Sequence, residues 1–281
     1  MKLSVLSNLF YRFSIEKTFQ MAAENGFDGI ELCGLRPHAY AWDMDENRCA
    51  HIRALAQRYG LEISMYTPEL LMYPYNVSSS YRTEREQTAA YLKKSVDVAA
   101  ALGTPRVQLT CGHPGYFTDR KENMQNTIET LLPVCDEAEK MGIDLIVECL
   151  TIMESSTVVM LDSFCELLEK IDSPRLCSML DSAMVMTNWE PLDSYFEKLG
   201  DRLQYVHWGD SHGENERHLE IGMGRIDPES FFDIVHRHGY DGWVSLELFG
   251  EYIREPEMHS LHEAMQLKAL LSAYDRKEGA V

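Results

Sequence analysis

The chain has 281 residues and a formal net charge of −19, with 45% hydrophobic and 25% charged residues. This length suits one α/β barrel of about 250 residues, and the acidity argues against partners such as nucleic acid or an anionic membrane surface. No apolar run reaches the roughly 18 residues of a membrane span, and the beginning of the chain is predicted to be a first strand, not a signal peptide.

Eight short apolar segments recur along the chain, and amphipathic, helix-like segments such as 14–26 and 83–103 lie between them. The predicted strands are 2–7, 29–34, 62–67, 106–112, 144–150, 175–181, 203–209 and 243–249. Eight βα units predict an α/β fold of the (β/α)₈ TIM-barrel type, as a single domain over 1–281. A doubly wound open sheet is the alternative, but no G-x-G-x-x-G follows the first strand, and no linker marks a second domain.

Cysteine usage indicates the redox compartment. The sequence has seven cysteines, an odd number, and no two of them form a C-x-x-C pair. Cys33, Cys111, Cys149 and Cys177 lie in apolar, strand-like segments. Reduced, buried thiols are the simplest explanation, so we expect a cytoplasmic protein.

The last four predicted strands end on residues that can bind a metal: Glu148, Asp181, His207 and Glu247. Each alone is equally well explained as a strand-end residue in contact with water. Together they would meet at the carboxyl ends of the strands, where barrel enzymes have their active sites. Buried charges need partners, so the four predict one divalent metal ion. Three carboxylates and one imidazole favour Mn²⁺, Co²⁺ or Mg²⁺, with Zn²⁺ as the less expected alternative.

This order of ligands resembles the xylose-isomerase-like family of sugar isomerases and epimerases. Other matching stretches are GLRPHAYAWD (34–43), YTPELLMYPYN (66–76), CGHPGY (111–116), VECLTIMES (147–155), VHWGDSHG (206–213) and GMGRID (222–227). The Arg-Pro-His and Tyr-Pro-Tyr-Asn stretches are similar to the subgroup that acts on ketosamines such as fructoselysine. The resemblance implies a metal-dependent isomerase that inverts C3 of a ketose or ketosamine, a small-molecule substrate.

The resemblance also implies roles for individual residues. Glu148, Asp181, His207 and Glu247 match the family's metal ligands. Glu148 and Glu247 also match its two acid/base carboxylates, which would remove the C3 proton on one face of the substrate and return one on the other. The fold and the metal site follow from the residues themselves, whereas the C3 chemistry follows only from the resemblance.

The substrate-binding residues of the family match this sequence less well than its metal ligands do. Glu154 matches a glutamate that contacts the hydroxyl end of the substrate. His218 stands where related ketose 3-epimerases have an arginine on the substrate, and Met184 stands where they usually have a histidine. These two departures affect the expected sugar contacts and leave the metal ligands unchanged.

The first half of the barrel is expected to shape the substrate pocket. His113 after strand four, Tyr66 at the end of strand three, and Arg36 and His38 after strand two are candidate substrate contacts. The alternatives are a loop hydrogen bond for His113, packing at the barrel rim for Tyr66, and surface ion pairing for Arg36.

Two further features concern the surroundings of the site. Asp210 follows His207 by three residues and is predicted to orient that imidazole, with a solvated loop carboxylate as an equally good explanation. The segment 67–83 is long for a βα loop and rich in tyrosine, so it is predicted to cover the barrel mouth.

Several other functions use similar residues. An aldose–ketose isomerase or a keto-inositol dehydratase would need the same metal and carboxylates, and the sequence does not separate them from an epimerase. An endonuclease for abasic DNA would need more metal ligands and a basic face. The net charge of −19 argues against such a face. A sugar-binding barrel that retains a metal is the non-enzyme alternative. The oligomeric state stays open, with a homo-oligomer among the options.

Overall fold

Eight parallel strands form a closed barrel in which each strand pairs with its neighbours in chain order and β1 pairs with β8. The computed structural model describes residues 1–248 and 250–278, with side chains described as far as residue 273. The strands are β1 Lys2–Leu6, β2 Gly29–Gly34, β3 Glu62–Pro68, β4 Arg106–Thr110, β5 Asp144–Glu148, β6 Leu176–Asp181, β7 Leu203–Trp208 and β8 Trp243–Leu246.

Helices connect the strands and surround the barrel. They are α1 Ile15–Glu24, α2 Glu46–Tyr59, α3 Arg82–Leu102, α4 Arg120–Met141, α5 Leu161–Lys170, α6 Ser182–Thr187, α7 Leu192–Leu199, α8 Pro228–Arg237 and α9 Pro256–Glu278. The side chains of Ser14, Asp45 and Asp119 accept backbone N–H groups in the first turns of α1, α2 and α4, as good N-caps do. Among the described residues, no helix combines the length and the apolar character that a membrane crossing requires.

The predicted single-domain TIM barrel is therefore confirmed, and all eight predicted strands exist with small changes at their ends. The largest change is at β8, which ends at Leu246, whereas the prediction extended to Phe249, a residue outside the described part of the chain. The assignment of the whole range 1–281 to this domain stays a prediction. All seven cysteines carry free thiols, six of them buried, as expected.

Alternating residues of the strands belong to two separate apolar clusters. One contains Val147, Val206 and Val244 together with residues of the surrounding helices. The other, much smaller, contains only strand residues, including Ile146 and Tyr205. The Tyr205 hydroxyl lies within hydrogen-bond distance of serines on β1 and β3, which places the small cluster inside the barrel. The next inward positions toward the carboxyl ends of the strands are polar.

Candidate metal centre and active site

The carboxyl ends of β5 to β8 bring four side chains into one cluster. Glu148, Asp181, His207 and Glu247 each offer a ligand atom, and these atoms all lie within 4.8 Å of one another. Glu148 shares the inward face of β5 with Ile146, as strand alternation predicts. Glu247 follows directly after β8, where its backbone N–H donates to the carbonyl of Trp208 at 2.9 Å. The end of β7 therefore fixes the position of Glu247 next to His207.

One nitrogen of His207 faces all three carboxylates. His207 Nδ1 lies 2.6 Å from Glu247 Oε2, 3.2 Å from Glu148 Oε1 and 3.7 Å from Asp181 Oδ2. These side chains converge on one point from four adjacent strands, and all but Glu247 are buried. A divalent ion with oxygen and nitrogen ligands fits this donor set.

The other nitrogen of His207 is held by Glu31, a residue that sequence reasoning missed. Glu31 lies in β2 and is fully buried, and its Oε2 is 2.9 Å from His207 Nε2. Its second oxygen accepts a hydrogen bond from the Thr67 hydroxyl. Because an ionised carboxylate can only accept, Nε2 carries a proton. When an ion replaces the proton on Nδ1, that nitrogen can offer its lone pair to the ion.

The charges of this cluster show why a cation fits it. Burial alone would lower the pKa of His207, but the charges of Glu31 and Glu247 and hydrogen bonds to the other two carboxylates raise it well above its usual range. Burial, with the like charges of Glu247 and Asp181, raises the pKa of Glu148 to about 7, although His207 opposes this shift. Three crowded carboxylates thus face a protonated His207, and a divalent ion would replace the proton on its Nδ1.

Glu148 is also held from the side by β4. The side-chain amide of Gln108 donates to Glu148 Oε2 at 2.6 Å, while Glu148 Oε1 faces His207. Gln108 therefore fixes which oxygen of Glu148 points into the cluster. The sequence places Gln108 inside an apolar strand, which is the one signal that could have identified it.

Asp181 joins the cluster to His218. Asp181 Oδ1 accepts the backbone N–H of Met184 and caps α6, while Oδ2 lies 2.9 Å from His218 Nε2. Burial works against protonation of His218, but the charges of Asp181 and Glu247 raise its pKa to about 10. His218 was predicted to bind substrate directly. The structure places it against Asp181, in the wall of the cavity described next.

A cavity of about 450 Å³ opens above the cluster, a volume within the usual range of small-molecule sites. Its lining includes Glu148, Glu247, Glu154 and His218, so the predicted substrate contact Glu154 does lie beside the catalytic candidates. Burial, followed by the like charges of Glu148, Glu216 and Glu247, raises the pKa of Glu154 to about 8.

Four other predicted substrate contacts lie outside the cavity lining. Three of them form contacts with other parts of the protein, as follows. Tyr66 is fully buried and donates its hydroxyl to the carbonyl of Ala39, because the side chain points toward the helices. His38 is buried and its Nε2 donates to a main-chain carbonyl. Arg36 is exposed and forms an ion pair with Asp43.

His113, the fourth, and Asp210 have local partners as well. His113 Nδ1 accepts the backbone N–H of Gly115 after β4. Asp210 was predicted to orient His207, and this prediction is wrong because Glu31 has that position. Instead, Asp210 accepts backbone N–H groups from Ser211, Gly222, Gly224 and Ile226. Its carboxylate thereby organises the loop that carries His218.

Comparisons with known proteins match a family model and individual relatives over most of the chain. The family described as Xylose isomerase-like TIM barrel matches residues 19–270. The chain is 36% identical to fructoselysine 3-epimerase of Shigella flexneri over 94% of this chain and 96% of the relative. It is 37% identical to fructoselysine 3-epimerase of Escherichia coli O157:H7 over 92% of this chain and 94% of the relative. Both names denote isomerases, the enzyme class predicted from the sequence.

A solved structure gives the same picture of the fold. The crystal structure of a D-tagatose 3-epimerase-like protein superimposes with a TM-score of 0.84 at 23% identity and covers 99% of both chains. At this identity the likeness shows the fold alone. The family match and the two curated relatives extend over nearly the whole chain. This chain therefore belongs to the xylose isomerase-like TIM barrel family.

Proposed function

We propose that this chain is a metal-dependent carbohydrate 3-epimerase that inverts C3 of a ketose or ketosamine, with fructoselysine-type compounds as the first candidates. The observation that carries this proposal is that Glu148 and Glu247, from strands three apart in the ring, line one cavity beside a cluster suited to a divalent ion. The names of the two curated relatives support the choice of reaction.

The two carboxylates supply the proton transfers. One of them removes the proton from C3, and the bonding electrons of that C–H bond pass into an enediolate. The other delivers a proton to the opposite face of C3, which restores the ketone with inverted configuration. No electrons are lost or gained overall. Two positioned bases are needed because a single carboxylate cannot easily reach both faces of one carbon.

Glu148, Asp181, His207 and Glu247 would hold the ion, with Mn²⁺, Co²⁺ or Mg²⁺ favoured by the three carboxylates and Zn²⁺ as the alternative. When bound, the ion would act as a Lewis acid that lowers the cost of negative charge on the substrate oxygens. Glu31 keeps the proton of His207 on Nε2, and Gln108 directs Glu148 Oε1 toward the cluster.

Other parts of the proposal concern the substrate and its setting. Glu154 would contact a hydroxyl group of the sugar, since it lines the cavity. His218 would act mainly by holding Asp181. His113 and Arg36 lie outside the cavity lining, so their contact with substrate stays a prediction. Tyr66 and His38 receive no substrate role because both are buried outside the cavity lining. A cytoplasmic location and partners limited to small molecules and copies of this chain complete the proposal.

The decisive experiment follows the reaction in D₂O by NMR, with added Mn²⁺ and a panel of ketoses and ketosamines. We expect solvent deuterium at C3 of the epimerised product and none at C1. Glu148→Gln and Glu247→Gln should each lower turnover in both directions by roughly 10²–10⁴-fold, as expected for a positioned acid or base. Deuterium at C1 together with an aldose product would identify an aldose–ketose isomerase instead.

A further inference from the structure

The cavity wall carries acidic groups beyond the metal ligands. Among the described residues that line it, Glu69 and Glu154 join Glu148 and Glu247, and no lysine or arginine is present. His218 is the one basic group of this described lining, and it is already used by Asp181. A divalent ion would offset part of the charge of its own three carboxylate ligands. It would not offset Glu69, whereas burial raises the pKa of Glu154 to about 8, so Glu154 is mostly protonated near pH 7.

Glu69 is held in a fixed position at the edge of this cavity. It follows the last residue of β3, and its Oε1 accepts the backbone N–H groups of Leu71 at 2.7 Å and Met72 at 2.9 Å. Among the described residues, no hydrogen bond involves its second oxygen, Oε2, which a ligand could therefore use. Within the described part of the chain, Glu69 forms no ion pair with a cationic side chain. A half-buried carboxylate without a cation gains most from a ligand that brings one.

The surroundings of Glu69 are apolar. Leu35, Leu71, Met72 and Ile253 line the same cavity, and Leu71 and Met72 belong to the same turn as Glu69. Such a wall accommodates methylene groups, while the carboxylate at its edge offers one charge-assisted hydrogen bond. The combination suits an alkylammonium group attached to a sugar better than a second polyhydroxylated group.

We propose that Glu69 binds a positively charged nitrogen of the substrate and thereby makes this enzyme prefer ketosamines over neutral ketoses and phosphorylated sugars. The inference rests on the proposed function and assigns a specificity-determining residue to it. A phosphate group at the same position would face like charges and find no lysine or arginine among the described lining residues, so sugar phosphates are disfavoured.

The test compares two substrates that differ in the charge of one nitrogen: a 1-alkylamino-1-deoxyfructose and its N-acetylated derivative, whose nitrogen is neutral. In Glu69→Gln the remaining carbonyl oxygen still accepts the N–H groups of Leu71 and Met72, so the turn is preserved. We expect kcat/KM for the amine to fall by about 10–100-fold, mainly through KM, since one charge-assisted contact is lost. The value for the acetylated compound should change by less than about twofold.

Glu62→Gln is the matched control, because Glu62 lies at the amino end of β3, the strand that Glu69 follows, and pairs there with Lys2 in solvent. It should leave both substrates unaffected. Equal losses on both substrates in Glu69→Gln, or no loss on the amine, would overturn the role of Glu69.

Binding measured by titration calorimetry separates this inference from the reaction itself. The wild-type protein loaded with Mn²⁺ should bind the amine more tightly than the acetylated compound, and Glu69→Gln should remove that difference. A wild-type protein that shows this charge preference without any C3 epimerisation would contradict the proposed function and support the role of Glu69. Turnover of both compounds without a charge preference would support the proposed function and contradict the role of Glu69.

Discussion

Glu31 and His207 meet inside the barrel, where Glu31 Oε2 lies 2.9 Å from His207 Nε2 and both side chains are fully buried. They are contributed by β2 and β7, so the contact crosses the barrel interior. Burial works against the ionised form of Glu31, yet the charge and hydrogen bond of His207 lower its pKa. Because the barrel holds Glu31 against Nε2, the fold itself keeps a proton on that nitrogen of His207.

Glu31→Gln should weaken metal binding without removing any ligand. Because the new side-chain amide would place a donor or a weaker acceptor at His207 Nε2, the ring would no longer keep its proton there and its lone pair on Nδ1. A loss of about 10–100-fold in metal affinity is expected for such an outer partner. Titration with Mn²⁺ monitored by calorimetry measures it. Unchanged affinity would show that the ring is oriented by other contacts.

Changes to the four ligand candidates should remove or weaken one bound divalent ion. Glu148→Gln, Asp181→Asn, His207→Asn and Glu247→Gln each delete one ligand from a cluster whose atoms lie within 4.8 Å of one another. Elemental analysis of the purified, dialysed variants measures the metal per chain. Glu154→Gln is the control, since Glu154 lines the same cavity outside the cluster. Full metal content in all four variants would end the assignment.

Glu263 should make the protein less stable as the pH rises. It is a fully buried residue of α9, and burial, together with the like charges of Glu220 and Asp210, raises its pKa from 4.5 to about 8. Between these two values the folded protein binds more protons at this site than the unfolded chain. The free energy of unfolding therefore falls with rising pH in this window, by up to about 1.4 kcal/mol per pH unit for one group.

Glu263→Gln should flatten that part of the pH profile, because the amide cannot ionise and its oxygen can still accept the N–H of Ile221. Urea unfolding of the wild type and the variant at pH 5 and pH 8.5 gives the difference, in which the contributions of other titrating groups cancel. The variant should gain stability relative to the wild type at the higher pH. Parallel profiles would show that Glu263 ionises normally in the folded state.

The loop between β3 and α3 should become protected when the cavity is filled. Glu69, Leu71 and Met72 of this loop line the cavity, while Tyr75 stacks on Tyr91 of α3 with ring centroids 3.9 Å apart. The first half of the loop thus lies where a ligand would contact it, and the second half is anchored on α3. Limited proteolysis within 67–83 should slow when substrate and metal are both present. Equal cleavage with metal alone and with metal plus substrate would contradict a cover over the site.

The sequence predicted the barrel and its four clustered side chains because each of them ends an apolar run, a pattern visible without tertiary information. The role of Glu31 was not predicted because this residue lies within its strand and not at the end of it, next to a shift in the β2–β3 register. Its partner His207 is 176 residues away, so Asp210 was the nearer choice. Tyr66 was misplaced for a related reason: Met65 takes the inward position of β3 and turns Tyr66 outward.

The loop braced by Asp210 suggests how such a protein could be redesigned. The Asp210 carboxylate accepts hydrogen bonds from four backbone N–H groups of the segment that follows β7 and carries His218. At Gly224 the backbone passes so close to Asp210 that no side chain would fit there. A library that varies the exposed positions of this segment while keeping Asp210 and Gly224 would sample new pocket shapes on an unchanged metal cluster. The same scheme without Asp210 would lose the frame on which those shapes depend.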